Sequence, residues 1–157
     1  MAFQTKNIGT EAAFRKIKHY CAYQERSHAE VKQKLYGYGL YKAEVELLLS
    51  NLIEENYLNE ERFAIAFAGG KFRIKQWGKT KIKYELSQKQ VSAYCIKKAL
   101  ATISEEDYEK TLSKLAAEKL KTLQGEKNIF TKKAKLQNYL VGKGYEFGLV
   151  GRVVSGV

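Results

Sequence analysis

Proline is missing altogether from the 157 residues. Average usage of ~5% would give roughly eight in a chain of this length. Proline breaks helix interiors, so its absence fits a chain made mainly of helices. Cysteine occurs twice, as Cys21 and Cys95, too far apart for any metal-ligand spacing; with no secretory signal in view, both read as free buried thiols. Histidine also occurs twice, as His19 and His28, and neither stands in a metal or triad motif. His28 falls in the first turn of an expected helix and is expected at the surface. No segment approaches the ~20 apolar residues of a membrane span. The opening MAFQTKNIGTEAAF lacks the apolar core of a signal peptide. The expectation is a cytoplasmic, soluble monomer with no metal, no cofactor and no membrane partner.

What the chain has in excess is positive charge, net +11, and its distribution says more than its size. Residues 1–60 hold eight basic and eight acidic residues. Residues 61–100 hold ten basic and two acidic, and the remainder ten basic and seven acidic. Most of the excess therefore sits on one quarter of the chain. That concentration is the footprint of a polyanion partner; the alternative is a solvated lysine face.

One apolar pattern occurs three times. Val31, Leu35, Gly39, Leu40, Val45 and Leu49 recur 51 residues on as Ile82, Leu86, Gln90, Val91, Ile96 and Leu100. A further 54 residues on they recur as Leu136, Leu140, Gly144, Tyr145, Val150 and Val154. An i, i+4 apolar pair shares one helix face. The glycine after it suits the left-handed turn that closes a helix, and the second pair gives the next helix its buried face. Each copy therefore predicts a helical hairpin, with Gln90 making the turn without glycine's freedom.

A longer helix is predicted ahead of each hairpin, around residues 10–24, 59–75 and 104–123. Phe63, Phe67, Gly70 and Ile74 form the apolar face of the second. Ser27, Asn59, Ser104 and Thr131 are the expected N-caps. The predicted fold class is all-α: three tandem three-helix repeats, approximately 10–55, 59–101 and 104–155, in one repeat domain spanning 1–157 and forming an elongated, curved solenoid-like body. The alternative is a compact nine-helix bundle.

Gly78-Lys79-Thr80 looks like the tail of a phosphate-binding loop. Such a loop needs a glycine five residues earlier and a buried parallel strand before it. The position holds Arg73, and the preceding stretch reads as helix. Gly69-Gly70-Lys71 lies inside that helix. Acidic pairs such as Glu54-Glu55 and Glu60-Glu61 sit near helix ends, where solvation explains them. With no catalytic constellation in view, the chain reads as a binding protein rather than an enzyme.

The candidate binding residues are Lys71, Arg73, Lys75, Trp77, Lys79, Lys81 and Lys83. They alternate with apolar side chains around a junction between two predicted helices. Lys79 and Lys83 are expected one turn apart on the outside of the second helix, whose N-terminus could donate amides to a phosphate. Trp77 reads either as a corner-packing residue or as a platform for base stacking.

Three stretches carry a family resemblance. RSHAEVKQKL, VELLLSNLIEENYLNEERFA and WGKTKIKYEL resemble, in order and spacing, the RecX family of bacterial recombinase regulators. The matching residues are Arg26, Ser27, Glu30, Val31, Lys34 and Leu35, then Tyr57, Leu58, Arg62, Phe63 and Ala64, then Gly78, Ile82, Glu85 and Leu86. The chain departs from the family pattern at Asn56, where glycine is usual, at Asn59-Glu60 for paired aspartates, and at Lys81 for arginine. Lys81 keeps the charge but loses the planar fork that grips phosphate in two places.

The resemblance implies tandem three-helix repeats that lie in the groove of the RecA filament on single-stranded DNA, and possible contacts from Arg26 and Arg62. It also implies inhibition of strand exchange, ATP hydrolysis and co-protease activity. Single-stranded DNA, and double-stranded DNA as well, are the expected nucleic-acid partners. The charge map adds that the basic middle unit faces DNA or acidic filament surface, while the outer units grip the recombinase.

Overall fold

The computed structural model describes residues 6–157. Nine α-helices follow one another, and no strand occurs among the described residues. They are α1 (Thr10–Tyr23), α2 (His28–Gly37), α3 (Lys42–Glu54), α4 (Glu60–Gly70), α5 (Lys79–Gln88), α6 (Ala93–Ala101), α7 (Glu105–Thr122), α8 (Ile129–Gly142) and α9 (Phe147–Ser155). A π-helical turn, Lys71–Lys75, continues α4. The long-short-short order expected from the sequence is present three times.

By contacts, the chain divides into two compact units. The first holds the residues up to Ala66 together with Leu86–Ile96; the second holds Phe67–Glu85 and Lys97–Val157. In the first, Ala13, Ile17 and Cys21 of α1 pack with Val31 and Leu35 of α2 and with Val45, Leu48 and Leu52 of α3. The α3 face runs through Leu48 rather than Leu49, which is only partly buried. In the second unit the fully buried side chains include Ile82, Leu136, Leu140, Tyr145 and Val150. Both cysteines are buried free thiols, and burial pushes Cys21 up to about 11.

The hairpin corners obey the pattern. Gly39, Gln90 and Gly144 have φ of 83°, 62° and 101°, so a glutamine does hold the left-handed conformation that glycine adopts at the other two corners. Asn56 takes it as well, at 62°. Ser27 caps α2 by accepting from Glu30 N, and Ser104 caps α7 by accepting from Asp107 N, both at 3.1 Å. Asn59 accepts from Arg62 N at 2.8 Å.

Three expectations are corrected. Thr131 is not a cap: α8 begins earlier, and Asn128 accepts from the amides of Phe130 and Thr131. Ile74 does not continue the buried face of α4. The wider π turn rotates the side chains that follow, so Phe72 is buried and Ile74 is 79% exposed. His28 is only partly exposed, and its Nε2 is buried without a hydrogen-bond partner.

Burial lowers the His28 pKa from the ordinary imidazole value; the Glu60 carboxylate opposes the shift and Lys32 reinforces it. The unfolded chain then binds more protons than the native one as pH falls, so His28 contributes stability above ~6.5 that is lost as pH drops through its native pKa. Chemical unfolding between pH 7.5 and 5.5 should show stability falling over that window. The slope should be shallower in His28→Gln. An equal slope in both proteins would place the pH dependence elsewhere.

Candidate nucleic-acid interface

All seven residues of the basic segment lie in the second unit. Arg73, Lys75 and Lys83 are exposed; Lys71, Trp77, Lys79 and Lys81 are partly buried. The chain reaches this arrangement through a sharp junction. The π turn ends at Gln76, which is left-handed with φ 58°, and both Gln76 N and Trp77 N donate to Lys71 O. A left-handed glutamine has an energetic cost, so the surroundings must hold it. Tyr145 does so by donating its hydroxyl to Gln76 O at 3.0 Å, and Lys143 Nζ reaches Lys75 O at 3.4 Å.

The start of α5 is held still more closely. Gly78 N donates to Lys143 O at 2.8 Å and Thr80 N to Gly144 O at 2.9 Å. A β-carbon on Gly78 would lie 2.3 Å from the carbonyl of Gly144. A β-carbon on Gly144 would lie 2.3 Å from Lys81 Cβ. Glycine stands at 78 because two backbones meet there, which gives Gly78-Lys79-Thr80 a structural reason unrelated to nucleotide binding.

Lys79 N completes the set by donating to the Tyr108 hydroxyl at 2.9 Å, and that hydroxyl in turn donates to Glu146 Oε1. The amides of Gly78, Lys79 and Thr80 are therefore all used internally. The expectation that this helix N-terminus offers amides to a phosphate is corrected: what faces outward here is side-chain charge.

Beneath the segment runs a row of rings. Phe72 and Tyr108 have centroids 5.9 Å apart, and Tyr108 and Tyr145 are 5.1 Å apart. Burial, with the Glu146 contact second, raises the Tyr108 pKa, and burial raises that of Tyr145; both remain neutral phenols. Lys79 Nζ lies 4.8 Å from the centre of the Tyr108 ring. Lys79 is thus partly a structural residue, which its expected place on the outer face of α5 did not suggest.

Trp77 meets Phe67 edge-on at 6.4 Å, as a corner-packing residue would. Its ring also carries two ammonium groups, Lys71 at 5.1 Å and Lys81 at 4.6 Å. The Arg73 guanidinium occupies the space left by Gly69, where a β-carbon would come within 2.7 Å of Nη1.

Arg26 and Arg62 lie in the first unit. Arg26 Nε donates to Tyr20 O at 3.0 Å, and its guanidinium stacks 3.8 Å from the centre of the Tyr20 ring. Arg62 pairs with Glu25 and ties down the left-handed turn at Asn56, donating to its Oδ1 and carbonyl at 3.2 and 3.1 Å. Any contact these two make with a partner shares them with this scaffolding. Among the described residues no group of His, Cys, Asp or Glu is placed to hold a metal ion, and no helix is long and apolar enough to cross a membrane.

The sequence places Tyr108 on the apolar face of the helix around 104–123, and it is buried there, but its bond to the Lys79 amide was not foreseen. Lys143 and Glu146 escaped the sequence reading, although a signal existed for their neighbour. Tyr145 is the one aromatic at a pattern position filled by Leu40 and Val91 in the other copies, and it alone carries a hydroxyl there, which bonds Gln76 O.

With this geometry in hand, comparison with known proteins identifies the scaffold. Residues 59–100 match the second three-helix domain of RecX, and 105–154 match the third. A regulatory protein RecX from Clostridium perfringens strain 13 is 31% identical over 130 residues, which cover 82% of this chain and 60% of that protein. The regulatory protein RecX of Halalkalibacterium halodurans is 35% identical over 128 residues, 81% of this chain and 47% of that one. The chain therefore spans about half to three-fifths of the length of these relatives. The crystal structure of RecX from Lactobacillus salivarius superposes with a TM-score of 0.83 at 20% identity, covering 94% of this chain and 95% of that one; it shares the fold.

Two substitutions test the scaffold under the basic segment. Gly78→Ala forces a methyl into the backbone of Gly144 and should cost at least ~2 kcal/mol. Gly148→Ala, where a β-carbon meets nothing within 4 Å, should change stability little. Tyr108→Phe strips the Lys79 amide of its acceptor and should cost about 1–3 kcal/mol. Denaturant midpoints measure all three. A Gly78→Ala protein as stable as Gly148→Ala would refute the close approach.

Proposed function

The chain belongs to the RecX family, and from that premise we propose that it is a non-enzymatic regulator of recombination and DNA repair. It binds the RecA–single-stranded DNA filament in its groove and inhibits strand exchange, ATP hydrolysis and co-protease activity. The observation that carries this reading is the basic segment: Arg73, Lys75 and Lys83 stand exposed, with Lys71, Lys79 and Lys81 beside them, on a junction whose amides from Gln76 to Thr80 are all bonded inside the protein. A rigid base with free cations meets a polyanion without first losing the entropy of ordering a loop. Repeated three-helix units offer repeated contacts to a filament of repeated subunits.

The same segment favours a second reading, a helical-repeat protein that binds DNA or RNA without the recombinase, because net +8 over residues 61–100 suffices for non-specific binding. An ATPase assay of RecA on single-stranded DNA separates the two. Inhibition at well under one molecule per recombinase subunit is the expected result; inhibition only when free DNA is saturated would establish simple competition. Replacing Arg73, Lys75 and Lys83 together by Gln should flatten the log K against log salt slope for single-stranded DNA by about 2, at ~0.7 per lost phosphate contact. Lys32→Gln with Lys42→Gln is the control and should alter the slope less.

A further inference from the structure

The zero net charge of residues 1–60 conceals a polarity. Between Ala12 and Lys42 there are seven basic residues and only two acidic ones, Glu25 and Glu30; between Ala43 and Glu60 there are five acidic residues and no basic one. Both carboxylates of the basic stretch are engaged by cations from outside it. Glu25 pairs with Arg62, and Glu30 with Lys89 at 3.2 Å. The positive charge of α1 and α2 is therefore not cancelled locally.

On α1 this charge is concentrated on the surface. Arg15, Lys16 and His19 are exposed. Arg15, Lys18 and His19 line, with Ala22 and Tyr57, a concavity of about 320 Å³. The only acidic residue of the helix, Glu11, lies in its first turn. Aromatic rings flank the cations on both sides. Lys18 Nζ lies 4.5 Å from the centre of the Phe14 ring and 5.9 Å from that of Tyr57. On the other flank Lys34 lies 5.4 Å from Tyr20, and both Lys34 and Lys16 lie 5.9 Å from Tyr38. Tyr23, at the end of the helix, is 83% exposed.

We propose that the outer face of α1, from Arg15 to Tyr23 with Tyr57 beside it, is a second binding surface for single-stranded nucleic acid, separate from the basic segment at 71–83. Arg15, Lys16 and Lys18 neutralise backbone phosphates, and the exposed ring of Tyr23 receives an unstacked base. Tyr20, Tyr38 and Tyr57 already carry cations over their rings, so the open face is that of Tyr23, which is 83% exposed with Arg26 no nearer than 5.9 Å from its centre. An open ring beside cations is what a single strand needs. A duplex keeps its base faces stacked and uses only the cations. An acidic protein surface likewise answers the charge and leaves the rings without a role. The inference does not rest on the filament reading, since it concerns DNA alone.

Fluorescence anisotropy with a labelled oligothymidylate and the full chain tests it. Arg15→Gln with Lys16→Gln should flatten the log K against log salt slope by about 1.4, both in the otherwise unchanged protein and in the Arg73, Lys75, Lys83 triple-Gln background. Tyr23→Ala should weaken binding by roughly tenfold and leave the slope unchanged, the signature of lost stacking. All three side chains are exposed, so thermal melting should match the parent. Unchanged slope and affinity in these variants would overturn the proposal. So would equal flattening by Lys32→Gln with Lys42→Gln, which reports diffuse charge. Intact oligonucleotide binding with weakened binding to the recombinase alone would assign the face to a protein partner instead.

Discussion

The second unit depends on one approach of backbone to backbone. A β-carbon on Gly78 would collide with the Gly144 carbonyl and one on Gly144 with Lys81 in the first turn of α5, and hydrogen bonds from Gly78 and Thr80 to the corner carbonyls fasten the contact. Everything distinctive about the basic segment follows from it. The contact fixes where α5 begins, which forces the chain between α4 and α5 into a short reversal. The reversal needs the left-handed Gln76 and the π turn before it. The π turn in turn sends Phe72 inward and Ile74 outward, and places Arg73 and Lys75 at the surface. Tyr108 and Tyr145 complete the arrangement by bonding the Lys79 amide and the Gln76 carbonyl, which the reversal leaves without helical partners.

The first unit uses the same device on different residues. A β-carbon on Gly39 would lie 2.6 Å from Lys6 O, and Ile8 N donates to Tyr38 O at 3.2 Å. Asn7 adds a side-chain bond to Glu44 at 3.0 Å, and Glu44 also accepts from Tyr41 N to cap α3. In both units a hairpin corner with a left-handed glycine accepts a short non-helical strip of chain that runs into a helix. The glycines at 39 and 144 thus have two reasons to exist, the turn and the neighbour. Gln90, at the third corner, makes the same left-handed turn with an exposed side chain.

This distinction marks the limit of what was legible in the sequence. The i, i+4 pairs, the Ser and Asn caps at 27, 59 and 104, and the left-handed corners all express interactions within about ten residues, and each was readable. The π turn was not, because KFRIK continues the helical pattern without a break; only its contact with residues some seventy positions away explains it. Thr131 failed as a cap because Asn128 competes for the same amides and is the better N-cap. His28 was misplaced because the burial of its Nε2 belongs to the folded chain and not to its place in the helix; Glu60, far along the sequence, is near enough to act on its charge. The basic residues of the candidate site were legible by type and place. Their individual roles were not, since Lys79, Arg26 and Arg62 are recruited by rings and carbonyls that only the fold brings near.

Trp77 shows how those roles can combine. A ring available for base stacking must offer its face, but two lysines already lie over this one, and Phe67 packs against it in a T-shaped contact. Each cation–π contact is weak at a partly exposed site, about 0.5–1 kcal/mol, so an ammonium gives up little in turning part of its hydration over to a phosphate. A base seeking the same ring would have to displace both lysines and lose the charge they bring. The indole therefore serves better as a holder of Lys71 and Lys81 than as a reader of bases: it reduces the freedom of two long side chains that would otherwise be costly to order. Under the proposed function, that division of labour suits contact with a phosphate backbone, which carries no sequence information directly.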